Sequence, residues 1–127
     1  MAYDNIIVDV EDHVCTIKLN RPDALNALNL ELLKELGDAL ADGQKNDKVR
    51  CFIITGSEKA FAAGADINEL NAYTMVSMLN DTRMLDWDAI RKFPKPLIAA
   101  VIGIVIGAAG VWLLSAARED GAQTVVG

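Results

Sequence analysis

Phe52-Ile53-Ile54-Thr55-Gly56 and, beyond Ser57 and Glu58, Lys59-Ala60-Phe61-Ala62-Ala63-Gly64-Ala65-Asp66-Ile67 form the stretch on which the fold turns. Val49 to Thr55 is a nearly continuous apolar run of β-formers, which predicts a strand covered on both faces. Gly56 to Gly64 reads as a loop with two glycines and several alanines, because glycine and small residues are where a backbone turns. A helix is expected to begin at Ala65-Asp66-Ile67. Taken alone, Gly64-Ala65 reads as a tight turn and Asp66 as a helix-start carboxylate that favours the local dipole.

The pattern extends in both directions. Upstream, Ile6, Val8 and Val10 alternate with more polar neighbours, and Val14, Thr16 and Lys18 alternate against Cys15, Ile17 and Leu19. This predicts an antiparallel hairpin with Glu11-Asp12-His13 as its polar turn and His13 in solvent. Asn20-Arg21-Pro22-Asp23 breaks the second strand, since Pro22 has no amide hydrogen for a ladder. Leu32, Leu33, Leu36, Ala39 and Leu40 then recur at helical spacing, predicting a helix from Asn29, its cap, to Asp42, with Gly43 ending it in a left-handed turn. Downstream, a helix is expected from Met75 to Phe93, with Val76, Leu79, Trp87 and Ile90 near one face and Met75, Met78 and Leu85 beside them. Pro94 and Pro96 stop it. Trp87 and Trp112 are read as core residues. The order β-β-α-β-α-β defines an α/β class.

The chain has 127 residues, 52% hydrophobic and 24% charged, with a net charge of −6. That length suits one domain, and the apolar content excludes disorder. The acidic balance argues against a nucleic-acid surface, which needs clustered positive charge. One histidine and two isolated cysteines, Cys15 and Cys51, suggest no metal site and point to reduced thiols in a cytoplasmic protein. Met-Ala-Tyr-Asp-Asn lacks the positive region and apolar stretch of a secretory signal. Pro96 to Ala117 is a run of 22 residues without a charge. As one helix it would rise about 33 Å, enough to span a bilayer, with Arg91, Lys92 and Lys95 as flanking anchors. Alternatively, Leu97 to Val101 forms a buried parallel strand, Gly103 to Gly110 holds a turn, and Val111 to Ala117 starts a helix.

Four stretches then decide between these readings: Asn20-Arg21-Pro22-Asp23-Ala24-Leu25-Asn26-Ala27-Leu28, the two stretches quoted first, and Lys95-Pro96-Leu97-Ile98-Ala99-Ala100-Val101. In this order and spacing the sequence resembles the N-terminal half of the enoyl-CoA hydratase (crotonase) family, from about Tyr3 to Val101, thinning afterwards to isolated glycines. The resemblance implies a crotonase-like spiral of ββα units, incomplete at about half of the family domain. Residues 1–101 would be its N-terminal part, and 102–127 a glycine turn and divergent apolar segment of the same domain. It also implies an acyl-CoA thioester as partner, no cofactor (coenzyme A being part of the substrate), and a trimer-based homo-oligomer. A membrane span is then not expected.

Such a family stabilises an enolate oxyanion, which takes two backbone amides aimed at the thioester oxygen where water does not compete. Ala65 matches the first donor. Ala108, by unbroken alignment from Pro96, matches the second. Ala24, Leu25 and Ala62 match positions lining the coenzyme A groove, and Asp66, Ile67 and Asn68 the acyl-side wall. Hydration also needs a general acid and base, for which the family uses two glutamates. Val111 stands at the first position and cannot move a proton; the second comes later than Gly127; Glu119 and Asp120 match neither. Ile102 replaces the family's usual Asn. The expectation is a truncated hydratase, a fragment, or a relative that binds acyl-CoA without hydrating it. Little or no hydratase activity follows for the 127-residue chain. In complete relatives the reaction, hydration of a 2-enoyl-CoA, would belong to fatty-acid β-oxidation or aromatic-acid degradation.

Overall fold

A computed structural model describes residues 2–102. Two strands, β1 (Ile6–Glu11) and β2 (Val14–Leu19), pair antiparallel with Ile6 opposite Leu19 and Glu11 opposite Val14. Asp12 and His13 join them with φ of 48° and 67°. Two left-handed residues are what a tight hairpin turn requires, because its twist then matches that of the strands. His13 is exposed, as expected, and its Nδ1 lies 2.7 Å from the Lys48 carbonyl oxygen.

After a single 3₁₀ turn at Pro22–Ala24, helix α1 (Leu30–Lys45) crosses to β3 (Cys51–Thr55), which runs parallel to β2. Short helices α2 (Ile67–Asn71), α3 (Met75–Leu79) and α4 (Arg83–Arg91) follow, and β4 (Leu97–Ala100) adds parallel to β3. The sheet order is β1-β2-β3-β4. The mixed α/β class read from the alternation of elements is the one observed.

Alternation along each strand puts one set of side chains on one face. Ile6, Cys15, Ile17, Leu19, Phe52 and Ile54 pack in one buried cluster with Leu32, Leu36, Ala39 and Leu40 of α1. Phe52 meets Phe93 edge to face with ring centroids 4.8 Å apart. Asn29 caps α1 as expected, accepting a hydrogen bond from the Leu32 amide at 2.9 Å.

Several expectations are corrected. Helix α1 does not stop before Gly43 but continues to Lys45. Glycine stands at 43 for packing: a Cβ there would lie 2.3 Å from Phe52 Cζ. Strand β3 is well buried on one face only, Cys51, Ile53 and Thr55 being half-buried. Helix 75–93 is two helices. Thr74 and Ser77 form a capping box that starts α3, and the Asp81 carboxylate accepts the Arg83 amide at 2.8 Å to start α4. Side chains that hydrogen-bond their own backbone compete with a continuing helix, which is why the apolar periodicity was overridden. Val76 and Leu79 are exposed as a result, and Trp87 is exposed rather than core. Strand β4 is parallel, yet Ile98 and Ala99 are exposed.

A helix running uninterrupted from Pro96 is ruled out, because β4 occupies its first turn. Among the described residues, no helix is long and apolar enough to cross a membrane. Lys95, one of the residues that would have flanked a span, instead donates from Nζ to the carbonyls of Gly43, Asn46 and Val49 at 2.8–3.1 Å. It ties the C-terminal end of α1 to the turn that follows, where the helix dipole favours a cation.

Candidate functional site: two loops joined at Leu28 and Ala65

The loop from Arg21 to Asn29 and the loop from Gly56 to Asp66 come together beside the end of β3. Pro22 presets the first loop's 3₁₀ turn. Leu25 and Asn26 follow in left-handed conformations, with φ of 48° and 57°. Asn26 is fully buried, at 1% exposure. Its Oδ1 accepts the Arg21 amide at 2.8 Å, and its Nδ2 donates to the Ala60 carbonyl at 3.1 Å. A short polar side chain that tolerates the left-handed region suits this position. The second loop turns on Gly56, where a Cβ would approach the Ala60 oxygen and the Phe61 Cα to 2.5 Å.

Main-chain bonds join the loops further along. The Ala63 amide donates to Leu25 O at 3.0 Å, the Leu28 amide to Gly64 O at 2.7 Å, and the Asp66 amide to Leu28 O at 3.0 Å. The last two define an isolated parallel bridge between Leu28 and Ala65. In such a bridge Leu28 uses both of its own polar groups, while those of Ala65 face the other way. The trans peptide between Gly64 and Ala65 has its carbonyl held by Leu28, so its N–H, the Ala65 amide, points oppositely. Among the described residues no acceptor takes that hydrogen, and Ala65 is exposed. Gly64 has φ of 114°, which a residue with a Cβ rarely adopts.

Asp66 caps α2, accepting the amides of Asn68 at 3.0 Å and Glu69 at 3.3 Å. Its other oxygen meets the Arg21 guanidinium at 3.1 Å. The Glu69 amide first, and then Arg21, hold its carboxyl below the usual carboxylate range. The helix-start reading of Asp66 is therefore what the structure shows. Arg21 also donates to the Ala27 carbonyl.

Glu69 binds the Leu30 amide with both oxygens, at 3.0 and 3.1 Å, and so caps α1 from another helix. It pairs with Arg83 at 3.2 Å; Arg83 in turn pairs with Asp81 at 3.3 Å and donates to the Tyr73 hydroxyl at 2.6 Å. Beside Leu25 opens a cleft of about 360 Å³ lined by Lys18, Pro22, Leu25, Ser57, Glu58 and Lys59. Asp4, Glu31 and Glu35 bring carboxylate oxygens within 4.8 Å of one another, but Glu35 is engaged by the amides of Asp4 and Asn5.

The comparisons with known proteins cover this whole arrangement. The enoyl-CoA hydratase/isomerase family matches residues 9–118. The chain belongs to that family. It is 41% identical over 107 residues to a probable enoyl-CoA hydratase of Rhizobium meliloti (strain 1021), covering 84% of this chain and 42% of that protein. It is 43% identical over 103 residues to 2,3-dehydroadipyl-CoA hydratase of Escherichia coli (strain K12), covering 81% and 40%. In structure it resembles enoyl-CoA hydratase from Bacillus anthracis, with a TM-score of 0.72 at 36% identity over 79% of this chain and 40% of that one. The chain thus spans about two fifths of the length of these relatives, and its α/β fold is the crotonase fold in part. The family match runs on past Val101, where the resemblance in the sequence thins, and ends at residue 118.

In this hydratase/isomerase family member, Ala24 is half-buried and Leu25 exposed at the first loop. Ala62 is buried and belongs to the core cluster. Ala65, Asp66, Ile67 and Asn68 lie together at the loop-to-α2 junction, with Ile67 and Asn68 exposed. Ala108, Val111, Trp112 and Glu119 lie outside the described residues. Sequence reasoning missed Arg21, Asn26 and Glu69. Arg21 and Asn26 stand inside a recognised motif, but their partners are 45 and 34 residues away. No spacing rule reaches that far.

Proposed function

We propose that the chain binds an acyl-CoA thioester and polarises its carbonyl through the backbone amides of Ala65 and Ala108. The observation that carries this reading is the Ala65 amide: it belongs to an exposed residue, has no acceptor among the described residues, and is held by the Leu28 bridge. Fixed donors are worth most where charge develops, since they need no reorganisation when it appears. Leu25 and its neighbours Lys18 and Lys59 offer an apolar contact and two cations to the coenzyme A moiety, whose phosphates are anionic. Coenzyme A is itself part of the substrate, so the reading calls for no separate cofactor.

Family membership supports hydratase-type chemistry, addition of water to a 2-enoyl thioester through an enolate. For the 127-residue chain we infer little or no turnover. Val111 stands where the first family glutamate is expected and cannot move a proton, so that proton transfer has no agent. Self-association in a reducing, cytoplasmic setting fits the exposed Ile98, Met75 and Leu79 and the free thiols Cys15 and Cys51.

The test mixes purified chain with a short 2-enoyl-CoA and follows loss of the conjugated thioester absorbance, with calorimetry of the same ligand in parallel. Binding without turnover is expected. Turnover well above buffer would overturn the inactivity inference, and absence of binding would overturn the acyl-CoA reading itself.

A further inference from the structure

The direction of the Ala65 amide depends on one peptide plane, and that plane follows Gly64, a residue with wide conformational freedom. Something must stop it from swivelling. Leu28 holds the Gly64 carbonyl at 2.7 Å, so the orientation of the amide is only as well defined as the position of Leu28 relative to Asp66. One side chain spans that pair. The Arg21 guanidinium donates through Nη1 to the carbonyl of Ala27, the residue before Leu28. Through Nη2 it meets the carboxylate of Asp66, the residue after Ala65. Asp66 in turn donates its own amide to Leu28 O at 3.0 Å. A closed ring of contacts therefore runs from Arg21 through Ala27, Leu28 and Asp66 back to Arg21, and the Gly64–Ala65 peptide is tied to it at Leu28 by a hydrogen bond and at Asp66 by the chain itself. The Arg21 amide is itself fixed by Asn26, so the ring is anchored to the buried part of the loop.

We propose that Arg21 is a positioning residue for the Ala65 amide, its planar two-armed guanidinium setting the angle at which that amide meets a thioester oxygen. The proposal rests on the reading of Ala65 as an oxyanion donor. A planar fork can hold a carbonyl and a carboxylate at once in fixed geometry; a lysine ammonium, a point charge on a flexible stem, cannot. Arg21 does not touch the ligand in this scheme. Its loss should leave coenzyme A binding nearly intact and blunt only the polarisation of the carbonyl.

The test uses the full chain and an aryl-substituted 2-enoyl-CoA whose absorbance moves to the red when its carbonyl is polarised. Wild type is expected to bind the probe and shift its band. Arg21→Gln should bind free coenzyme A within about threefold of wild type and lose about half or more of the red shift. Arg21→Lys should fall between them. Asp66→Asn keeps an oxygen to cap α2 while losing the charged partner, so it should also lose part of the shift, and it decides the matter if Arg21→Gln does not fold. A full shift in the folded variants overturns the role of Arg21 and leaves Ala65 standing. Equal loss of coenzyme A affinity and shift also overturns it, because that marks a merely structural residue. No shift in wild type, with the probe bound, overturns the Ala65 reading and this proposal with it.

Discussion

Replacing Asn26 by alanine tests how the two site loops are held. The buried side chain has two partners with different fates when it is removed. Arg21 N–H has Asn26 Oδ1 as its acceptor at 2.8 Å, so alanine strands a donor, a loss of about 1–3 kcal/mol. The Ala60 carbonyl also takes the Ser57 amide at 2.9 Å, so losing Asn26 Nδ2 costs only the net value of one bond, about 1 kcal/mol. The left-handed backbone at φ 57° adds about 1 kcal/mol more for alanine. Together Asn26→Ala should cost about 4 kcal/mol, a large share of the roughly 5–15 kcal/mol that holds a typical domain. Asn26→Gly should recover about 1 kcal/mol of this, because glycine adopts the left-handed region without steric penalty. Urea unfolding at equilibrium is the assay. With a slope of about 1.5 kcal/mol per molar, the alanine midpoint falls by roughly 2–3 M and the slope is unchanged. An alanine variant within about 0.5 kcal/mol of wild type, or a glycine variant less stable than alanine, refutes the accounting.

Three further outcomes follow from the packing and charges. Gly43→Ala in a helix interior would ordinarily stabilise, but here the new methyl meets the Phe52 ring, so a lowered melting temperature and a loss of about 1–3 kcal/mol are expected; an unchanged or raised melting temperature contradicts the Phe52 contact. Lys95→Met removes three donors from the carbonyls of the last turn of α1 and of the turn after it and should cost about 1–3 kcal/mol, with faster amide exchange confined to residues 43–49; unchanged exchange there argues against the lysine cap. The lowered Asp66 pKa makes its ionised form stabilising. That contribution is complete above the ordinary carboxylate pKa and is lost as pH falls through the depressed value, so Asp66→Asn should flatten the stability profile between about pH 5 and pH 2. A profile parallel to wild type would show that the Arg21 and amide contacts do not act on the carboxylate.

Where a structure depended on neighbours a few residues apart, it could be read in advance. The hairpin, the apolar stripe of α1, the Asn29 cap and Asp66 at the head of α2 all follow from spacings of two to four residues. The long helix expected from Met75 to Phe93 failed for a local reason as well. Thr74, Ser77 and Asp81 satisfy backbone amides and define two starts, a signal present in the residues but outvoted by apolar periodicity. Exposure of Val76, Leu79 and Trp87 came with that split.

The amino-acid sequence by itself determined the α/β class, the strand before the glycine-alanine loop, and the family, because these rest on local pattern and on motif order. Tertiary structure decided the rest of the site. Gly43 is a glycine because a phenylalanine nine residues on presses against it. Lys95 closes a helix that ends fifty residues earlier, and Arg21 meets Asp66 across forty-five. The amide of Ala65 is left without an acceptor among the described residues because the bridge turns it away from Leu28. Hydrogen-bond partners distant in the chain are brought together only by the burial of α1 on the sheet, and no spacing rule read along the sequence encodes which donor is left over when that packing is complete.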